Sequence, residues 1–359
     1  MKAALRLLVA TVAIAPLGFV AACGGGDEAA EGPRFLVAVA PNPAQLTSEA
    51  SAIRIIELDT KESRQVGEAA FYTELKFSPD GRYLAALGGD TAGSAAWVAV
   101  FDAATGEETA SDREAGAIAG MAWAPDGSRL AVIHEAAVVL LEPAGSYTVD
   151  EGVGLPAGVN PLRWAWTPDG EVFGVITEGQ LVLVPVSSSE TGAEIARSDF
   201  PRDSENWAVR GGEEPREIGL VDLRPVGGIP EGRAEYPIHL PGDGTIEDGE
   251  PRVVSIYDWN TLPSPEFDAA TDRQFAAIRK SCSPCRTADG SGSLFVVWVA
   301  KGVLAPPGEG EEWPDGTQTL LAIEVSASEA TALDLGIGPQ GPIDVSAWQP
   351  VYDVARLAE

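Results

Sequence analysis

Basic side chains are scarce. The 359-residue chain has 24 Lys and Arg against 54 Asp and Glu, a formal net charge of −30. Nucleic-acid binders neutralise phosphates with clustered Lys and Arg, so this balance excludes nucleic acid as a partner. Histidine and cysteine are scarcer still, at two and three residues. Zinc sites draw on four such ligands, and a hydrolytic triad needs a positioned His base. The one long apolar run, residues 7–20, falls short of the ~20 residues that a membrane helix needs. What remains is 45% hydrophobic and 22% charged, the composition of a globular chain.

The N-terminus carries an address. Lys2 and Arg6 precede the apolar run, the order of a secretory signal. The run ends in Val20-Ala21-Ala22-Cys23, which resembles a bacterial lipobox. That resemblance implies that residues 1–22 are removed and that Cys23 becomes the lipidated first residue. Ordinary secretion with an unmodified Cys23 is the competing reading. Loss of residues 1–22 removes two basic and no acidic side chains, leaving 22 against 54 and a charge of −32. Lipid must hold such a body to an anionic leaflet, and more than one acyl chain is needed for a stable anchor. Residues 23–33 read as a flexible lipidated tether, and residues 34–359 as one domain.

That domain is built from repeats. Phe77-Ser78-Pro79-Asp80-Gly81, Trp123-Ala124-Pro125-Asp126-Gly127 and Trp166-Thr167-Pro168-Asp169-Gly170 are spaced by 46 and 43 residues. Before the first, Leu75 and Phe77 alternate with Glu74 and Lys76, which is strand periodicity. Proline presets the first corner of a type I turn, and glycine accepts the positive φ that returns the chain. Each copy is therefore expected to be a β-hairpin, with Pro79, Asp80, Gly81, Pro125, Asp126, Gly127, Pro168, Asp169 and Gly170 as structural turn residues. Further apolar strands lie between the hairpins, at residues 53–59, 96–102, 138–142 and 181–186. A hairpin plus strands every forty-odd residues is the signature of a propeller blade.

The aromatic-x-Pro-Asp-Gly hairpin, with its interleaved Val-x-Val-x-Asp-x-x-Thr-Gly strand, resembles the TolB-like, WD-repeat-related β-propellers of bacterial envelopes. Three good copies cover residues 71–186, and weaker ones extend over most of 34–350. The resemblance implies an all-β ring of about seven four-stranded blades, with six also compatible. Irregular insertions are expected around residues 190–290, where residues 218–223, 234–240 and 253–258 are strand-like and Pro, Gly and acidic stretches separate them. Residues 346–350 repeat the first half of the hairpin, with Trp348 in the slot of Trp123 and Trp166. Residues 35–39 begin where a returning strand should stand. One blade is thus expected to be sewn from both ends of the chain, which protects sheet edges.

Chemistry is sparsely signalled. Cys282 and Cys285, spaced C-x-x-C outside the cytoplasm, read as a disulfide. A redox pair would need a helix N-terminus in a βαβ setting, and zinc would need two more soft ligands. His134 and His239 read as structural or solvated residues, with no Gly-x-Ser-x-Gly elbow beside them. The acidic loop 243–250 offers oxygen ligands for Ca²⁺, but without the alternation of a calcium loop it reads as a solvated insertion. No other cofactor is expected. Trp207, Trp259 and Trp313 stand in irregular segments and are the aromatic candidates for an exposed binding surface, with packing as the competing reading.

These readings converge on a lipid-anchored propeller at the extracytoplasmic face of a bacterial membrane. It would act as a binding scaffold for an envelope protein or small ligand. The alternative is a propeller enzyme, a polysaccharide lyase or hydrolase with a channel-facing site. The two differ in whether His134 or His239 stands beside Arg and carboxylate partners.

Overall fold

The computed structural model describes residues 35–40, 51–58, 60, 62–90, 97–113, 117–135, 137–143, 153–155, 161, 163–177, 180–185, 195–197, 206–227, 229–241, 245–255, 286–287, 294–300, 318–325, 330–334 and 351–356. These lie in the larger of two compact units, Pro33–Glu359; the other is Met1–Gly32. Among the described residues there is no α-helix, and no helix long and apolar enough to cross a membrane.

The hairpin turns set the local geometry. Strand β3 (Ser63–Phe77) pairs antiparallel with β4 (Tyr83–Gly89). Between them, Gly81 N–H donates to Ser78 O at 2.8 Å, and Ser78 N–H donates to Tyr83 O at 2.8 Å. Gly81 has φ 71°, as do Gly127 and Gly170. That conformation suits a residue without Cβ. The Ser78 hydroxyl donates to Asp80 Oδ1 at 2.5 Å and accepts Tyr83 N–H at 2.9 Å. Thr167 repeats the pattern, donating to Asp169 Oδ1 at 2.6 Å and accepting Val172 N–H at 3.0 Å. Ala124 has no hydroxyl, and Ser128 Oγ supplies the bond to Asp126 Oδ1 instead, at 2.8 Å. These bonds matter because Ser78 and Thr167 are buried, where an unpaired polar group is costly.

The described strands fall into six groups of four or five. The first combines β24 (Val351–Arg356), β1 (Phe35–Ala40), β2 (Ser51–Glu57) and the start of β3. The second runs from the end of β3 through β4 and β5 (Trp97–Asp102) to β6 (Glu108–Asp112). The third contains β7 (Ile118–Trp123), β8 (Leu130–His134), β9 (Ala137–Leu141) and β10 (Val153–Gly154). The fourth contains β11 (Arg163–Trp166), β12 (Val172–Thr177), β13 (Gln180–Pro185) and β14 (Ile195–Arg197). The fifth contains β15 (Trp207–Gly211), β16 (Glu217–Val226), β17 (Ile229–His239) and β18 (Glu247–Asp248), with β19 (Arg252–Ser255) also on β17. The sixth contains β20 (Arg286–Thr287), β21 (Leu294–Ala300), β22 (Gln318–Val325) and β23 (Ala330–Asp334).

Neighbouring groups share cores. Leu36, Ile53, Tyr72, Leu84 and Phe101 join the first two. Tyr83, Val98, Met121 and Leu130 join the second to the third. Ile133, Trp166, Phe173 and Val182 join the third to the fourth, and Ile176, Trp207, Ile218 and Ile238 the fourth to the fifth. Strands such as β4 are buried on both faces, so their sequences read as nearly unbroken apolar runs. Each fully buried aliphatic or Phe side chain contributes about 1.5–3 kcal/mol. The indoles add a directed link between groups. Trp123 Nε1–H donates to Lys76 O, and Trp166 Nε1–H donates to Ala122 O, both at 3.0 Å.

The leading strands of the groups lie side by side. β3 touches β7, β7 touches β11, β11 touches β15, and β24 touches both β3 and β20. At the two ends of the chain, β24 pairs antiparallel with β1, Phe35 opposite Arg356 and Ala40 opposite Val351. This strand starts just after the 346–350 motif, so Trp348 lies outside the described residues.

Candidate functional site

The fifth group departs chemically from the second, third and fourth at its first turn. Residues 212–217, Gly-Glu-Glu-Pro-Arg-Glu, hold the place of the Pro-Asp-Gly turns. Gly212 N–H donates to Glu217 O at 2.8 Å, matching Ser78 to Tyr83 and Thr167 to Val172. Gly212 thus stands where the hydroxyl residues stand elsewhere. A Cβ there would run into the Glu217 carboxylate. A Cβ on Gly219 would likewise run into the Glu235 carboxylate. The two glycines clear space for two acidic side chains inside the sheet.

Those carboxylates are almost wholly buried, with side-chain exposures of 0% for Glu235 and 1% for Glu217. Burial of a charge is tolerated only with partners. Arg210, from β15, supplies a bidentate pair: Nε–H donates to Glu235 Oε1 at 2.7 Å and Nη2–H to Oε2 at 2.9 Å. Arg252, from β19, bridges the two acids. Its Nε–H donates to Glu235 Oε2 at 2.5 Å and its Nη2–H to Glu217 Oε1 at 2.6 Å. The register brings this about, because β17 pairs with β19 so that Glu235 stands opposite Arg252. Glu217 Oε1 also accepts the Glu213 N–H at 3.0 Å.

Burial pushes the Glu235 carboxyl up, but the hydrogen bonds from Arg210 and Arg252 outweigh it and hold the acid below its ordinary value. Arg252 behaves conversely: burial acts to lower it, and its bonds to Glu235 and Glu217 raise it further. Both groups are therefore charged at neutral pH.

The network reaches solvent along one rim. Glu213 is 64% exposed and lies 3.2 Å from Arg252 Nη1. His239 is 40% exposed, with Nδ1 3.4 Å from Glu217 Oε2. The turn is joined to its neighbour, since Asp169 N–H donates to Pro215 O at 3.0 Å and Arg216 Nε lies 3.3 Å from Asp169 Oδ2. The arrangement presents a guanidinium, an exposed carboxylate and an imidazole along one rim of the sheet.

The other residues singled out from sequence are dispersed. Cys23, Cys282, Cys285, Trp259 and Trp313 lie outside the described residues. Of the acidic loop, Glu247 and Asp248 form β18, opposite His239 and Ile238. His134, on the third group, places Nε2 2.8 Å from Oδ2 of buried Asp112 on the second. Among the described residues no group of three or more His, Cys, Asp or Glu is arranged to hold a metal ion. Trp207 is a packing residue and not part of an exposed surface: it opens β15, is buried, and packs against Tyr236 with ring centroids 5.5 Å apart. Its tertiary neighbours, Ile218 and Leu220, bury it in the core shared with the fourth group. Sequence reading missed Arg210, Glu217, Glu235 and Arg252. The available signal was the six-residue spacing of Gly212–Glu217, which keeps the turn's length while discarding its residues.

No protein-family model matches the chain, and no curated protein matches it. Among solved structures it is similar to the β-propeller domain of Myceliophteria thermophila Cps50 (Swd1), at 15% identity over 82% of this chain and 84% of that one, TM-score 0.39. It is similar to dihydro-heme d1 dehydrogenase NirN in complex with DHE, at 14% identity over 89% and 74%, TM-score 0.44. It is also similar to TolB from Acinetobacter baumannii, at 14% identity and TM-score 0.41, covering 89% of this chain and 66% of that one, just under two thirds of its length. A TolB and a β-propeller domain, the kinds of protein to which the repeats are likened above, are thus among the structures this chain is similar to.

Proposed function

We propose that this chain is a lipid-anchored extracytoplasmic β-propeller that serves as a binding scaffold for an envelope protein or small ligand. The observation that carries the reading is the row of leading strands. β24, β3, β7, β11 and β15 touch in succession, and β24 also touches β20. A radial stack of sheets, each unable to bury both faces alone, accounts for that order. The pairing of β24 with β1 supports a ring closed by both ends of the chain. Six groups among the described residues support a ring of six or seven blades. On such a ring, binding belongs to loops held by rigid sheets, and the Glu213–His239 rim is the best candidate among the described residues.

The anchor is proposed on Cys23 and its lipobox resemblance alone. Metabolic labelling with an alkynyl fatty acid should mark the wild-type chain and release Cys23→Ser into the soluble fraction. An unlabelled, freely soluble wild type would refute the anchor. For the scaffold, cross-linking in intact envelopes should recover a partner whose yield falls in Arg252→Ala. Absence of any saturable partner would refute it.

One observation favours the enzymatic alternative: His239 and Arg252 both contact Glu217, the grouping by which a lyase could pair a base with a carboxylate-binding cation. Release of unsaturated oligosaccharides from a uronate polysaccharide, lost in His239→Ala, would decide for it.

A further inference from the structure

Besides its pairing with β1, the closing strand is tied to the second group by a carboxylate. Asp353 Oδ2 accepts the backbone N–H of Phe77 at 2.7 Å, across 276 residues of sequence. Asp353 sits on β24 opposite Ala38 of β1, while Phe77 ends β3, so the bond ties the C-terminal strand to the second group as well as the first.

Strand pairing by itself defines the register of β24 poorly. A slip by one residue turns every side chain to the other face and is excluded wherever one face is buried. Ala355 is buried with Leu36, Ala38 and Tyr72, and a one-residue slip would carry both Ala355 and Asp353 off that face. A slip by two residues keeps the faces. It would bring Ala355 or Val351 opposite Ala38, where Asp353 now stands. Neither has a side chain that accepts a hydrogen bond. The Phe77 N–H would then lose its partner, and Asp353 would be desolvated without one from Phe77.

We propose that Asp353 is the register key of the closing strand: its bond to the Phe77 N–H selects one alignment of β24 on β1 among those that the apolar pattern allows. The proposal concerns how the chain closes and stands apart from the anchor and from any ligand.

Hydrogen exchange of the full chain tests it. In Asp353→Ala the Phe77 amide should exchange about 10- to 150-fold faster, the range set by loss of a part-buried bond to a charged acceptor. Protection should also fall at one end of the β1–β24 pairing, because a two-residue slip unpairs that end alone. Asp353→Asn keeps a carbonyl acceptor, so Phe77 should retain most of its protection. An unchanged Phe77 rate in Asp353→Ala would overturn the proposal. So would a uniform loss of protection along β1 that Asn does not rescue. If the alanine variant fails to fold, the asparagine variant decides: Phe77 protected supports the key, and Phe77 deprotected in a folded chain refutes it.

Discussion

The turns of the fourth and fifth groups close with the same hydrogen bond, Thr167 to Val172 at 2.9 Å and Gly212 to Glu217 at 2.8 Å. Their interiors differ. Thr167 satisfies its own turn through a hydroxyl, and Val172 enters an apolar core. Gly212 contributes no side chain, and Glu217 enters a buried ionic network. The backbone of a repeat unit can thus be kept while its chemistry is exchanged, provided that glycine opens the volume the new side chain needs. Buried ion pairs seldom add net stability over a packed apolar core. The fifth group's network is therefore better explained by what it presents at its rim than by what it adds to folding.

The largest effect is expected where the ionic network is broken on one side. Glu235→Ala should cost about 3–5 kcal/mol in chemical denaturation, since it leaves Arg210 and Arg252 without their shared acceptor. The comparison would fail if this variant were no worse than a surface substitution. Acid should act on the same group. Glu235 is held below its ordinary value of 4.5, so the unfolded chain binds the proton first. Its contribution is full above that value and is lost as pH falls through the lower, folded one. Glu235→Gln should flatten this acid limb in pH-dependent melting.

Next come the hydroxyl turns. Ser78→Ala and Thr167→Ala should each cost about 1–3 kcal/mol, because each leaves a buried N–H and an aspartate short of a partner. Equal tolerance in both would mean that Asp80 and Asp169 suffice without the hydroxyl.

Tyr72 provides the alkaline counterpart in the motif-bearing half. Burial pushes its hydroxyl up to about 12, and it donates to Glu68 O at 2.7 Å. The folded chain keeps this proton after the unfolded chain has lost it, so stability should decline as pH rises from the ordinary value of 10.0 through about 12. Tyr72→Phe should abolish that decline while costing about 1 kcal/mol at neutral pH. The smallest effect is Ala124→Ser, which restores the hydroxyl of its sister turns. It should change stability by under ~1 kcal/mol in either direction, because Ser128 already holds Asp126.

Much of the fold was legible because local chemistry repeats. The three Pro-Asp-Gly segments announce hairpins through residues whose preferences are intrinsic, and the structure pairs the strands around each of them. The turn of the fifth group was illegible for the same reason. Gly212, Glu213 and Glu214 satisfy the turn's length without its preferred residues, and Pro and Gly in the surrounding segment suggest loops. Strands β15 and β16 pair antiparallel across that turn, β16 and β17, ten and eleven residues long, pair antiparallel beyond it, and this pairing, not the turn's own residues, holds it. The candidate site was illegible for a further reason. In a chain with 54 acidic residues, no single Glu stands out.

The sequence by itself determined the acidic charge and the hairpin repeat, because the one follows from composition and the other is written in contiguous residues with fixed local preferences. Only tertiary structure decided which carboxylates lose water and which arginines follow them. Arg210, Glu235 and Arg252 lie on three strands separated by 25 and 17 residues. Their meeting depends on sheet register, which is set by pairing across the whole group rather than by any one segment.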